Sequence, residues 1–356
     1  MKILAAITEG DGTFSIVPLE LGRPGDGEVL VAIKASGVCH TDFDSLSWKK
    51  RLILGHEGAG VIADVGAGVA GLRAGDRVML NWAIPCGVCF QCARGAENIC
   101  EDRGTVPDDR FVYPGGPLNA SFSLGTMATH AIVPAAAVIP IPDDLPFEVG
   151  AILGCGVMTG FGSVVNAGRV AKGSSVAVLG CGGVGLSAIL GAVYSEAGRI
   201  IAVDLSPSRL KLARQFGATE TLQVDRNDSG LRDAAATVRR MNGGRGVDYC
   251  FECTAVPELG PAPLAMVRSG GTAVGVSGIE QVVPVDMELF EWDKIYINPL
   301  YGQCRPTRDF PLLIDLYCSG RLPLDAMISR RYPLEHLQQA FDDMRNGIHA
   351  KGVLTF

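Results

Sequence analysis

No block of basic residues interrupts this chain. Its 31 lysines and arginines are scattered among 38 acidic residues, for a net charge of −7. That balance excludes nucleic acid and anionic membrane surfaces as partners. Charged residues are few, at 19%, against 47% hydrophobic, which excludes a disordered or fibrous chain. Internal repeats and low-complexity segments are lacking. A secretion signal is not expected, because the apolar run at residues 1–6 is short and Glu9 and Asp11 follow at once. A long uncharged run lies between Lys172 and Glu196 and is about as long as the roughly 20 residues that span a membrane. Gly180, Gly182, Gly183 and Gly185 break it, so a buried strand, a turn and a buried helix are expected there, and no membrane partner.

With 356 residues, the chain exceeds what one core usually holds, and two domains are expected. Eleven cysteines without an export signal point to a reducing, cytoplasmic setting and to metal ligation rather than disulfides. Cys86, Cys89, Cys92 and Cys100 read C-x2-C-x2-C-x7-C. Four thiolates so spaced close a tetrahedral zinc site with no open position, which stabilises a loop and performs no chemistry.

Residues 17–138 read as short strands between turns, with alternation at 28–34 and 60–65 and a further strand at 76–80. Residues 155–300 differ. Strand-like runs at 175–179, 199–204, 246–253 and 271–276 alternate with helical ones, as in a parallel sheet covered by helices. Helices are expected at 310–319 and 334–346, and an apolar strand at 352–356.

Gly180-Cys-Gly182-Gly-Val-Gly185 is G-x-G-x-x-G between a strand and a helix. Its glycines make the turn, admit a pyrophosphate and let helix pack on strand. Gly66-Ala-Gly68-Val-Ala-Gly71 matches the same pattern, but a new strand follows too soon for a helix, so it reads as loop. Asp204 ends the next strand about 20 residues on, where a carboxylate holds a ribose 2′-hydroxyl and repels a 2′-phosphate. NAD is therefore expected over NADP, although Arg209 is a nearby cation.

A second group is scattered: Cys39-His-Thr-Asp42, Gly55-His-Glu-Gly58 and Gly154-Cys-Gly156. Two thiolates and one imidazole, from Cys39, His56 and Cys155, leave the fourth position open, as a catalytic zinc requires. Asp42 is suited to hold the far nitrogen of His56. Cys181, Cys304 and Cys318 read as small packing residues. Cys250 and Cys253 read as a strand pair on opposite faces.

Together these motifs resemble the zinc-dependent alcohol dehydrogenases of the medium-chain dehydrogenase/reductase family, over nearly the whole chain. The resemblance implies an α/β fold: a β-rich GroES-like catalytic domain (1–156 and 301–356) with both zinc sites, and a doubly wound parallel-sheet Rossmann domain (157–300) for NAD. The reaction site is expected in the cleft between them. It implies that Cys39, His56 and Cys155 bind the catalytic zinc, with Glu57 an occasional ligand, and that the four clustered cysteines bind the structural one. Thr41 corresponds to the hydroxyl that takes the substrate proton. His40 and Lys351 match cations that reach the coenzyme pyrophosphate, and Trp82 an aromatic of the substrate pocket. Thr159, Gly180, Gly182, Gly183, Val184, Gly185, Asp204, Arg209 and Val276 fall where the coenzyme is held. A cysteine at 155, where polyol-type relatives depart, favours a simple alcohol dehydrogenase. A homodimer or homotetramer is implied, joined near 287–300.

One departure matters. The position of the family's relay histidine holds Asp44, and of five histidines only His40 and His56 lie in these motifs. The span from Thr41 to His56 is also short, trimming a loop that often shapes the pocket. The expected substrate is a primary alcohol, aromatic or medium-chain, oxidised reversibly to its aldehyde. Three rivals stand beside it: a formaldehyde dehydrogenase acting on a thiol adduct, with Arg103 and Arg110 as its candidate cations; an enzyme that keeps its nicotinamide bound; and a non-catalytic zinc module.

Overall fold

The alternation that begins at Glu28 becomes the ten-residue strand Glu28–Gly37, which pairs antiparallel with Gly58–Val65, His130–Pro134 and Lys351–Thr355. The computed structural model describes residues 1–114, 116–348 and 350–356. They form two units: Met1–Cys155 with Arg305–Phe356, and Gly156–Cys304.

The first unit is built on two sheets. In one, Lys2–Thr8 lies between Ser15–Leu21 and Leu52–Ile53, over a core that includes Ile3, Ile7, Leu19, Ile53 and Phe111. The other runs in the order Val138–Pro140, Arg77–Leu80, Gly58–Val65, Glu28–Gly37, Lys351–Thr355, Ile328–Pro333. A further core, with Val38, Leu54, Tyr332 and Phe341, packs the helix Leu337–Arg345 against this unit.

The second unit is one parallel sheet, ordered Glu220–Gln223, Arg199–Asp204, Ser175–Leu179, Val247–Glu252, Val267–Gly275, Ile295–Ile297. All five residues of Ser175–Leu179 are buried, as expected of a strand covered on both faces. Pro207 at the first helical position and Ser206 at the cap start the helix Pro207–Gln215. The helical run Phe147–Gly168 is long and apolar enough to cross a membrane, but 78% of its most apolar window is buried within the protein. It contains two π-helical stretches, Leu153–Val157 and Ser163–Gly168.

Asp248 ties the sheet together from beneath. Its Oδ2 accepts from the Ser175 N–H and hydroxyl at 2.7 Å each, and its Oδ1 from Arg268 Nε at 2.7 Å. Burial raises its pKa, but these bonds outweigh it and hold the carboxyl below its ordinary value of 3.8. A depressed folded-state pKa adds stability above the unfolded value, and that stability is lost as pH falls through the folded one. Asp248→Asn is expected to cost about 1–2 kcal/mol at pH 7. Denaturant titrations below about pH 4 should show the difference shrinking; a pH-independent difference would contradict the assignment.

Candidate functional site

Cys39 follows the strand Glu28–Gly37 in extended conformation and caps the short helix His40–Ser45. The cap places Asp42 one turn on, where its Oδ2 accepts from the Cys39 N–H at 3.1 Å. Its Oδ1 lies 2.8 Å from His56 Nδ1. Both Asp42 and His56 are about 1% exposed. One buried carboxylate thus fixes a cysteine backbone and an imidazole, and commits His56 to the tautomer that leaves Nε2 for a ligand. Cys155 comes from the π-helical stretch Leu153–Val157, a distortion common at functional sites.

Ligand atoms of Cys39, His56, Glu57 and Cys155 all lie within 4.8 Å of one another. Glu57 is fully buried, with Oε1 2.6 Å from Lys351 Nζ. Its Oε2 is buried and has no hydrogen-bond partner among the described residues. A Cβ at Gly37 would sit 1.9 Å from that oxygen, so only glycine leaves room for the carboxylate. The hydrogen bond with Cys155 holds Cys39 well below the ordinary thiol range, against burial and helped by His56, while the same bond pushes Cys155 up. Burial raises the Glu57 carboxyl to about 7, with Lys351 pulling the other way. Burial works against protonation of Lys351 and His56, but Glu57 raises the former and Asp42 the latter. Two thiols, one already biased to thiolate, an oriented imidazole and a carboxylate oxygen lacking a partner are a donor set that fits zinc.

Cys86, Cys89, Cys92 and Cys100 form a second such group, also within 4.8 Å. Backbone N–H groups point at sulfur: Cys86 to Cys100 and Cys89 to Cys86 at 3.3 Å, and Cys92 to Cys89 at 3.4 Å. The Cys92 N–H lowers Cys89 to about 6, whereas burial raises Cys92 to about 12. Four sulfurs with no other donor leave no position for a substrate.

In the second unit, Gly180 has φ +83 and makes the turn after Ser175–Leu179. A Cβ at Gly185 would lie 1.8 Å from the Gly180 carbonyl oxygen, whereas nothing stands within 4 Å of one at Gly182. The turn therefore closes tightly on itself and leaves open space at Gly182, the cap of the helix Gly183–Tyr194 that carries Val184. Asp204 Oδ2 accepts from the Cys181 N–H at 2.7 Å and Oδ1 from the Ser206 N–H at 2.8 Å. Arg209 is half-buried, and its Nε has no partner among the described residues. The second copy, Gly66 to Gly71, is loop between Gly58–Val65 and Arg77–Leu80.

The remaining candidates fall as follows. Thr41 is half-buried and His40 and Asp44 are exposed, all on His40–Ser45. Lys351 is buried against Glu57, and Trp82 is 8% exposed. Thr159 is half-buried on the helix Met158–Gly162. Val276 is buried just past Val267–Gly275, its N–H donating to the Glu252 carbonyl. Arg110 pairs with Glu28, and Arg103 donates to the Asn98 carbonyl. Cys181 and Cys304 are buried, but Cys318 is exposed because it is the last residue of the helix Pro306–Cys318 and lies on its outer side. Cys250 is buried in Val247–Glu252, Cys253 follows that strand, and neither belongs to a metal-capable group among the described residues.

Two residues escape sequence reasoning. Phe122 packs on His56 with centroids 5.0 Å apart. Glu252, fully buried, accepts from the Thr254 N–H and hydroxyl and the Ala255 N–H. Neither sits in a spaced motif.

The model of the alcohol dehydrogenase GroES-like domain matches residues 25–143, and that of the zinc-binding dehydrogenases matches 183–317. The chain belongs to the zinc-dependent alcohol dehydrogenases of the medium-chain dehydrogenase/reductase family. It is 32% identical over 373 residues to S-(hydroxymethyl)glutathione dehydrogenase of Photobacterium damsela subsp. piscicida, covering all of both chains. Among solved structures it resembles an alcohol dehydrogenase zinc-binding domain protein from Burkholderia ambifaria, at 34% identity and TM-score 0.90 over 100% of this chain and 99% of that one. It also resembles benzyl alcohol dehydrogenase from Acinetobacter calcoaceticus, at 30% identity and TM-score 0.89 over the same shares. This zinc-dependent dehydrogenase is an oxidoreductase, with the GroES-like and Rossmann-type halves of its family.

Replacing Asp42 with Asn should weaken metal binding at the Cys39 group by about 10–100-fold. Competition with a chelator reads this directly. The four-cysteine group, which lacks this carboxylate, should keep its ion.

Proposed function

We propose that the protein oxidises a primary alcohol to its aldehyde with NAD, reversibly, at the Cys39 group. The observation that carries this reading is the convergence within 4.8 Å of two thiols, one imidazole and one buried carboxylate. Cys39, His56 and Cys155 would hold a catalytic zinc, with Glu57 in reserve, and the four clustered cysteines a structural one. Zinc in such a site supplies Lewis acidity toward an alcohol oxygen, and NAD supplies the hydride acceptor.

The protein's own groups do the rest. Asp42 orients His56, and Lys351 balances the Glu57 charge. The hydroxyl of Thr41 receives the alcohol proton and passes its own onward. Asp44, three residues along the same short helix, takes it toward solvent; residues so spaced share a helix face. Gly180, Gly182, Gly183, Val184 and Gly185 present backbone to the coenzyme pyrophosphate, with His40 as a cation, and Asp204 meets the ribose. Thr159, Arg209 and Val276 complete the coenzyme contacts. Residues 1–156 with 301–356 form the catalytic domain and 157–300 the coenzyme domain.

Relatives named for S-(hydroxymethyl)glutathione keep the thiol-adduct reading in the assay. Against it, Arg110 and Arg103, the cations nominated for an adduct, are engaged by Glu28 and by the Asn98 carbonyl. A homodimer, or a homotetramer built from it, is supported by apolar residues exposed near an edge strand of the parallel sheet: Met287, Trp292, Ile295 and Leu300. Eleven cysteines without a disulfide among them suit a cytoplasmic site.

The test is a panel of alcohols, aldehydes and formaldehyde plus glutathione, run with NAD and NADP alongside metal analysis. Two zinc ions per chain are expected, with kcat/KM for NAD above that for NADP by about tenfold or more. Cys39→Ser should remove one ion and the activity together. Activity restricted to the glutathione adduct would favour the rival, and reduced-coenzyme absorbance in the purified protein a permanently bound nicotinamide. Asp44→Ala should slow alcohol oxidation several-fold at neutral pH and approach the parent rate at high pH, where hydroxide takes the proton. An unchanged pH–rate profile removes Asp44 from the path.

A further inference from the structure

Glu252 is a carboxylate at a place where the sheet itself needs none. It ends the strand Val247–Glu252, beside Leu179 and Gly275 of the neighbouring strands, and is fully buried. Its Oε1 accepts from the Thr254 N–H and hydroxyl at 2.5 Å each, and from the Ala255 N–H at 3.1 Å. Oε2 is buried as well and has no hydrogen-bond partner among the described residues. Taking a carboxylate out of water is costly, and a smaller polar group can cap a loop. All three bonds go to two consecutive residues of the loop that follows the strand. One of them, Ala255, has φ +58, a left-handed backbone like that of Phe122 at φ +51. Side chains rarely adopt it, and it persists where the surroundings impose it. Here two groups do so, because the Ala255 N–H is shared between Glu252 Oε1 and Ser277 Oγ, the latter at 3.0 Å.

The position of this loop gives the restraint a purpose. From Ser175–Leu179 the chain moves to Arg199–Asp204 on one side, whereas Val247–Glu252 lies on the other. The strand order therefore reverses between Ser175–Leu179 and Val247–Glu252. In open α/β sheets the crevice outside the carboxyl ends of two such strands is where ligands bind. One wall of it is the glycine turn, and the other is the loop of residues 253–256. The two walls touch. The Cys253 N–H donates to the Leu179 carbonyl at 2.8 Å. A Cβ at Gly180 would lie 2.9 Å from Thr254 Cγ2 and 3.0 Å from the Cys253 carbonyl oxygen. With Asp204 at the adenosine ribose and the glycine turn at the pyrophosphate, a coenzyme crosses the strand ends in that order. The next wall it meets is the loop that Glu252 holds.

We propose that Glu252 is a positioning residue for the nicotinamide half of the coenzyme, acting through Thr254 and Ala255. This rests on the reading of the protein as an NAD enzyme. Glu252 keeps the loop in its left-handed shape before the coenzyme arrives. Without it, the coenzyme itself would have to impose that shape on binding, and affinity would fall by the cost of doing so.

The test compares NADH with ADP, which carries the adenosine and pyrophosphate but neither the second ribose nor the nicotinamide. Both are titrated calorimetrically into the zinc-loaded enzyme. Glu252→Ala should weaken NADH by about tenfold, the worth of one strained residue, and ADP by no more than about twofold. Ala255→Gly added to Glu252→Ala should restore much of the NADH affinity, because glycine reaches positive φ without strain. A residue that merely supports the core would show neither the selectivity nor the rescue. Glu252→Gln keeps the shape and an acceptor oxygen but loses the charge. It should show the same selectivity in smaller measure, and it serves if the alanine variant does not fold. Equal weakening of NADH and ADP, no weakening of either, or no rescue by glycine would overturn the role of Glu252 and leave the coenzyme reading standing. A parent enzyme that binds neither NADH nor ADP would overturn both.

Discussion

The buried Asp42 carboxylate is the constraint from which the metal-capable site follows. One oxygen starts the helix that carries Thr41 and Asp44, and the other fixes the His56 ring. A carboxylate taken out of water is expensive unless its partners are placed well. The short cap after Glu28–Gly37 meets that condition with a backbone N–H and an imidazole. Because both partners flank metal-ligand candidates, any shift of this side chain moves a thiol and an imidazole together.

What is legible in the sequence is what local chain geometry decides. C-x2-C-x2-C-x7-C closes on itself through neighbouring N–H groups, so spacing suffices to bring its sulfurs together. The glycine turn is equally local, since Gly180 and Gly185 are in contact. Parallel strands such as Ser175–Leu179 declare themselves by being apolar on both faces. Some features are set by long-range contact and are not legible. Glu57 and Lys351 meet across 294 residues, and only the pairing of Lys351–Thr355 with Glu28–Gly37 brings them together. The backbone of Phe122 is another case, because no turn residue marks that stretch as left-handed. The helix at Phe147–Gly168, with its π-helical register at Cys155, likewise has no signature in the local residues.

The two sulfur-rich groups show how the same ligand atom serves opposite ends. At Cys86, Cys89, Cys92 and Cys100 every donor is a thiol on one local loop, steadied by backbone N–H groups. At Cys39 and Cys155 the donors come from distant segments and include an imidazole and a carboxylate. The first arrangement is self-contained, whereas the second forms only when the sheets of its unit have closed.

Lys351 gives that closure an order in time. During synthesis Cys39, His56 and Cys155 leave the ribosome long before the lysine that neutralises Glu57. An ion captured by the nascent chain would therefore meet a centre with one more negative charge than the finished enzyme has. Insertion of the late strand lowers that charge, so folding itself would tune how strongly the ion is gripped.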